Sequence, residues 1–258
     1  MAKIIVWVVF SISFLQAFGQ IEKIDTDRPD QTESAGIVPK NYFQAEVGFN
    51  RENGDSNNYV LVHPTVLLKY GFGRIELRLE AVCHSDYARL VSESKRITGV
   101  DPIEIGFKWL LADETRLRPK TSVIVHLGFP MVSSKVFRTD HVAPSFRLVT
   151  QKSFTDHFGI GTNFGMSWDG YSSKPTWLYT FSPGLNIGQK WYAYIEAFGF
   201  IQKDELPQHS VDGGVAYYLS NDVKVDVSGG FGLTCAAPKN YFALGFSFRV
   251  NTNRRQPH

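Results

Sequence analysis

Gln208-His209-Ser210 sets an imidazole beside a hydroxyl, the pair that hydrolysis through a nucleophilic serine requires. The motif lacks the Gly or Asn setting that would complete such a site. The seven histidines are dispersed, and His84 with Asp86 reads as a solvated loop pair rather than a metal site. Gly159-Ile160-Gly161 with Gly165 has glycines at nucleotide-loop spacing, yet no helix follows to aim amides at a phosphate, so it reads as a glycine-rich strand. No catalytic residue, metal or cofactor is expected, and the chain reads as a non-enzyme.

A different set of residues stands out by its spacing. In Arg74-Ile75-Glu76-Leu77-Arg78-Leu79-Glu80-Ala81, charged and apolar residues alternate for eight positions. On a strand this puts Arg, Glu, Arg and Glu on one face and Ile, Leu, Leu and Ala on the other; a helix would scatter both sets. The same alternation recurs from about Tyr42 to Val250, giving about twelve strands and no helical segment in that range. Gly71–Gly73, Ser153–Asp156, Gly188–Lys190 and Ser220–Asp222 read as tight turns, while the links near 52–58, 84–99, 130–141, 168–175, 203–209 and 232–239 are longer. Loops sorted by parity in this way are the pattern of an up-and-down transmembrane antiparallel β-barrel, with short periplasmic turns and longer extracellular loops. Aromatic residues at strand ends (Phe49, Tyr70, Trp109, Phe129, Trp177, Trp191, Tyr217, Phe231, Phe248) resemble interfacial girdles. The all-β reading leaves the ninth strand, Trp191 to Ile201, without a clear orientation, because it is apolar on both faces apart from Glu196.

If apolar faces meet lipid, the polar faces line a lumen. They carry Lys69, Arg74, Arg78, Lys108, Arg147, Lys224 and Arg249 against Glu46, Glu76, Glu80, Glu104, Glu196, Asp212 and Asp226. A set of one sign would make an electrostatic filter. This near-balanced set is either a structural charge ladder filling the interior or a polar passage for a small solute.

The ends of the chain complete the organisation. Lys3, the apolar run Ile4 to Leu15 and the small residues of Ala17-Phe18-Gly19 read as a secretory signal over residues 1–19, too short to span a bilayer as a helix. Residues 20–40 are acidic, irregular and interrupted by proline; Asp25, Asp27, Asp30 and Glu33 have only Arg28 nearby to offset them. This segment is either a plug that folds back into the lumen or a periplasmic tether. The barrel is expected over 41–251, with a C-terminal tail at 252–258. Cys83 and Cys235 could pair or stay free. A net charge of +2 without a basic cluster excludes a nucleic-acid binder. Expected partners are outer-membrane lipid, a small-molecule solute and the barrel-assembly machinery, and the expected location is the bacterial outer membrane.

Thr26-Asp27-Arg28-Pro29-Asp30-Gln31-Thr32-Glu33-Ser34, then Val38-Pro39-Lys40 and Phe43-Gln44-Ala45-Glu46-Val47-Gly48, resembles the start of the bacterial outer-membrane family named for the meta-pathway of phenol degradation. Tyr70 to Arg78, Ile105-Gly106-Phe107-Lys108 and Val211-Asp212-Gly213-Gly214 are similar too, so the resemblance covers most of the mature chain. It implies an outer-membrane β-barrel with a role in the passage of small molecules, aromatic or hydrophobic ones among them. It carries over no catalytic residue. A non-transporting structural or surface-interaction barrel, and a soluble ligand-binding β-barrel, stay open as alternatives at this point.

Overall fold

The computed structural model describes residues 23–54, 58–89 and 94–253. The expected signal, and the tail beyond residue 253, lie outside them. The strands are β1 (Tyr42–Asn53), β2 (Tyr59–Phe72), β3 (Ile75–Arg89), β4 (Ser94–Val100), β5 (Ile103–Ala112), β6 (Lys120–Phe129), β7 (Ala143–Ser153), β8 (Phe158–Ser167), β9 (Thr176–Ile187), β10 (Trp191–Gln202), β11 (Gln208–Ser220), β12 (Val223–Gly232) and β13 (Asn240–Asn251). Each pairs antiparallel with its neighbours, and the β1–β13 and β2–β3 pairings close the sheet.

The closed wall has twelve places. β3 pairs through Ile75–Glu80 with β5 and through Cys83–Arg89 with β4, so β4 and β5 share one place, interrupted at Asp101-Pro102. The link expected at 84–99 is therefore largely a continued ladder, and His84 and Asp86 lie on a strand rather than in a loop. Its outer face need not be apolar where the ribbon rises above the hydrocarbon, so the alternation that reveals other strands fades here. Tight turns gather at one end of the barrel together with the longer link 113–119, and the remaining connections lie at the other end. Gly73 and Gly188 sit in two of the tight turns with φ of +80° and +61°, which glycine adopts without a Cβ penalty.

The barrel is inside-out relative to a water-soluble fold. Its outer face shows Ile195, Phe164 and Leu77 at 68%, 57% and 52% exposure, while the largest fully buried side chains include Lys108, Gln44, Glu46 and Glu76. The one cluster of buried apolar side chains given by the described residues is small: Ala35, Ile124 and Val149. A soluble ligand-binding barrel would sort its faces the other way, so that alternative is set aside.

One irregularity reverses a face. Between Val62 and Thr65 the register of β2 slips by a residue against both neighbours. Because side chains alternate with period two, the slip turns Val60 and Val62 inward with Asn50 and Glu52, while Val66, Leu68 and Tyr70 stay outward. A single apolar face from Val60 to Tyr70, as simple alternation gives, is thus corrected. Cys83 and Cys235 are both free.

Candidate functional site

The interior is built by alternation. Of the residues expected to line the lumen, Glu46, Lys69, Glu76, Arg78, Lys108, Glu196, Asp212, Lys224, Asp226 and Arg249 are buried inside the wall. Glu80, Glu104 and Arg147 also point inward but keep some exposure. Arg74 is the exception. It stands in the turn before β3 and reaches back to the Leu110 carbonyl and to Asp113 at 2.8 Å, with half its side chain exposed. It is a rim residue because the turn carries it past the end of the wall. Arg249, though buried, pairs with Asp222 of the β11–β12 turn at 2.6 Å.

The chain before β1 runs through this interior. The Ile24 amide donates to the Asn221 carbonyl at the turn end. Lys224 then donates to the Thr26 hydroxyl and to the Arg28 carbonyl, and the Asp27 and Arg28 amides donate to Glu46. The Arg28 guanidinium sits over Gly48 and Gly245, which pair across β1 and β13, and reaches Asp226 at 3.2 Å. Only residues without a Cβ leave that space. Further along, the Gln31 amide and the Thr32 hydroxyl bond to Glu196, and Ser182 donates to Asp30. The segment crosses back, where Glu33 meets Arg78 at 2.8 Å and Arg147 at 3.4 Å. The Ala35 carbonyl accepts from Ser122, the Val38 amide donates to Glu76, and Lys40 bridges Gly71.

Asp27 is the centre of this arrangement. Lys69, Arg78 and Lys108 each donate to its carboxylate at 2.8 Å. Burial alone would raise its pKa, but those three cations hold it well below the usual carboxylate range. The opposite wall is poorer in bases. There Arg28 and Lys224 face Asp30, Glu196, Asp212 and Asp226, and burial pushes Asp30 up to about 7 despite Lys224. The Tyr194 hydroxyl and one oxygen each of Asp212 and Asp226 are buried there without a partner among the described residues.

Sequence reasoning missed the inward aromatic residues. β10 turns Tyr192, Tyr194, Glu196, Phe198 and Phe200 inward, opposite Asn186, Gly184, Asp212, Thr180 and Leu178 on the flanking strands. The rings use space that glycines leave: Tyr192 crowds the missing Cβ of Gly184, Tyr194 that of Gly214 and Tyr241 that of Gly230. Glycines at those register positions were the available signal, but the pairing register had to be known to read it. At the turn end, between the segment and this wall, lies a cavity of about 530 Å³ lined in part by Asp25, Lys120, His157, Tyr192 and Tyr218.

His209 and Ser210 fall on opposite faces of β11, His209 bonding outward to Tyr179 and Ser210 lying inward. His63 Nε2 and Ser85 Oγ come within 2.7 Å on the outer face, but Ser85 is fully buried and also bonds Thr98. Glu80, Glu104 and His126 place ligand atoms within 4.8 Å of one another. However, Arg78 Nε donates to His126 Nε2 at 2.9 Å, which leaves the ring proton on Nδ1, facing Glu104 at 3.1 Å. Both ring nitrogens are thus engaged.

Residues 26–250 match a family model described as "Putative MetA-pathway of phenol degradation". An outer membrane channel from Pseudomonas putida F1 is similar in structure, with a TM-score of 0.68 at 9% identity over 84% of this chain and 98% of that one. The NanC porin is similar at a TM-score of 0.52 and 10% identity, over 81% of this chain and all of that one. At such identities the likeness shows the fold, a barrel of the outer-membrane type. No curated protein matches the sequence.

Proposed function

Because this chain belongs to the MetA-pathway family of phenol degradation, we propose that it is an outer-membrane channel for passive passage of small solutes, held closed by its own residues 23–39. The observation that carries this reading is Asp27, a residue outside the wall whose carboxylate bridges three lumen bases at once. A charge ladder serving only to fill the barrel would need no counter-ion from outside the wall; a gate does. Without the segment, Lys69, Arg78 and Lys108 would face a water-filled lumen, and the inward rings of β10 would form one side of a passage. That wall suits small aromatic or otherwise hydrophobic solutes, in keeping with the family's description. Export through a cleaved signal and insertion by the barrel-assembly machinery complete the proposal.

Deleting Asp25–Ser34 and recording single-channel conductance in planar bilayers tests it. A several-fold rise in conductance or in open time is expected, with liposome swelling showing flux of small solutes. Unchanged conductance in a correctly folded deletion variant would remove the gate from the proposal. Absence of flux in both forms would favour a non-transporting surface barrel.

A further inference from the structure

The slipped register of β2 has a second effect, on the outer face near the loop end. It turns Tyr59 outward opposite Asn53 and Tyr87, in line with Arg51, whose other neighbour Phe242 faces lipid at 54% exposure. Four side chains then form one continuous stack. The Arg51 guanidinium lies 4.4 Å from the Tyr59 ring, Tyr59 stacks on Tyr87 at 4.3 Å and 13°, and the Arg96 guanidinium lies 5.2 Å from the Tyr87 ring.

The two arginines are exposed, and their hydrogen-bond acceptors are neutral: Asn53 for Arg51, Thr98 and Ser85 for Arg96. Among the described residues neither guanidinium has a carboxylate partner, whereas Lys69, Arg78 and Lys108 in the lumen do. Height matters as well. Tyr59 lies eleven residues along β2 from Tyr70, or roughly 25–28 Å along the axis for about 3.3 Å per residue and a tilt of about 40°. That distance matches an apolar band about 25 Å tall, so the stack stands where hydrocarbon gives way to headgroups. Planar guanidiniums held on tyrosine faces are preorganised to grip phosphate oxygens bidentately, and they cost less to desolvate there than ammonium groups would.

From this arrangement we infer that Arg51, Tyr59, Tyr87 and Arg96 form a binding ledge for the phosphorylated headgroup of a lipid in the leaflet at the loop end. Acyl chains would lie against Phe49, Phe242 and Leu244 below, all outward-facing and about half exposed. The inference needs only that the barrel spans a membrane; it does not depend on whether the lumen conducts.

The test uses the full-length protein in detergent, with native mass spectrometry reading bound lipid. The probes are diphosphorylated lipid A, the same lipid with its phosphates removed, and inorganic phosphate as a competitor. Wild-type protein is expected to retain the diphosphorylated lipid at least tenfold better than the dephosphorylated one. The R51Q/R96Q double variant should fall to the dephosphorylated level, while K174Q/K203Q, elsewhere at the loop end, should bind like wild type. Heat-shifted electrophoretic mobility confirms that each variant is a folded barrel. Equal retention by R51Q/R96Q, loss in K174Q/K203Q, no preference for phosphate, or displacement by millimolar inorganic phosphate would each overturn the inference.

Discussion

Lys108 Nζ donates to the Asp27 carboxylate at 2.8 Å inside the barrel, joining a wall residue of β5 to a residue 81 positions earlier that belongs to no strand. Neither side chain is exposed beyond 6%. Taking both charges out of water is costly, and their attraction offsets that cost only while both are present.

Asp27→Asn should therefore release the segment without unfolding the wall. Removing one member of a buried ionic cluster typically costs about 3–5 kcal/mol, here charged against docking rather than against the strand ladders. The expected result is an open probability at least tenfold higher in planar bilayers, with unchanged heat-shifted mobility. Wild-type gating in this variant would show that Asp27 does not hold the segment.

Gly71→Ala should act at the other end of the segment. A Cβ at this position would meet the Pro39 and Val38 carbonyls at 2.1 and 2.2 Å. Backbone cannot swing aside as a side-chain tip can, so residues 38–40 must leave their bridge to β2. Limited proteolysis should cut near Lys40 several-fold faster than in wild type, while the barrel itself stays resistant.

Gating should respond to pH through Asp30. Docked against Ser182, its carboxyl keeps its proton up to about pH 7; released, it ionises near its ordinary 3.8. The docked state binds the proton more tightly, so docking weakens as pH rises through that window and is weakest above it. Asp27 has the opposite sign: its lowered pKa stabilises docking above its ordinary value, and that support is lost as pH falls below it. Channel opening should thus increase as pH rises from about 4 to about 7, and Asp30→Asn should flatten the rise. A rise that persists in Asp30→Asn would assign it to other groups.

Leu77 and Arg78 are neighbours on β3 with opposite surroundings, 52% and 3% exposed. Leu77→Arg puts a charge on the outer face near mid-membrane, at about 2–4 kcal/mol, and should block assembly as judged by loss of the heat-shifted band. Arg78→Ala should assemble and alter only gating, since it removes the contacts to Asp27, Glu33 and Glu76. Normal assembly of Leu77→Arg would contradict the lipid-facing assignment of that side.

Much of this architecture was legible in the residues because a barrel wall obeys a local rule. Alternation depends on neighbours two apart, so Ile75 to Ala81 alone showed which residues share a face, and loop parity showed how most strands connect. The same rule placed Lys108, Asp212 and Lys224 on the inner face. It failed where the local rule was broken or silent. The slip at His63-Pro64 inverts Val60 and Val62 with no trace in hydrophobicity, the ribbon of β3 and β4 rises above the hydrocarbon that would impose a pattern, and β10 carries apolar side chains on both faces.

What the chain before β1 does was beyond any periodicity. Its excess of acid over base allowed both a tether and a plug. Which cations Asp27, Asp30 and Glu33 meet depends on closure of the β1–β13 and β2–β3 seams, which brings side chains from many strands around one axis. Sequence alone thus determined the faces, since alternation is set by covalent geometry. Only the tertiary structure decided the contacts across the lumen, because attraction between buried charges depends on distance through space and on the exclusion of water, neither of which is written in residue order.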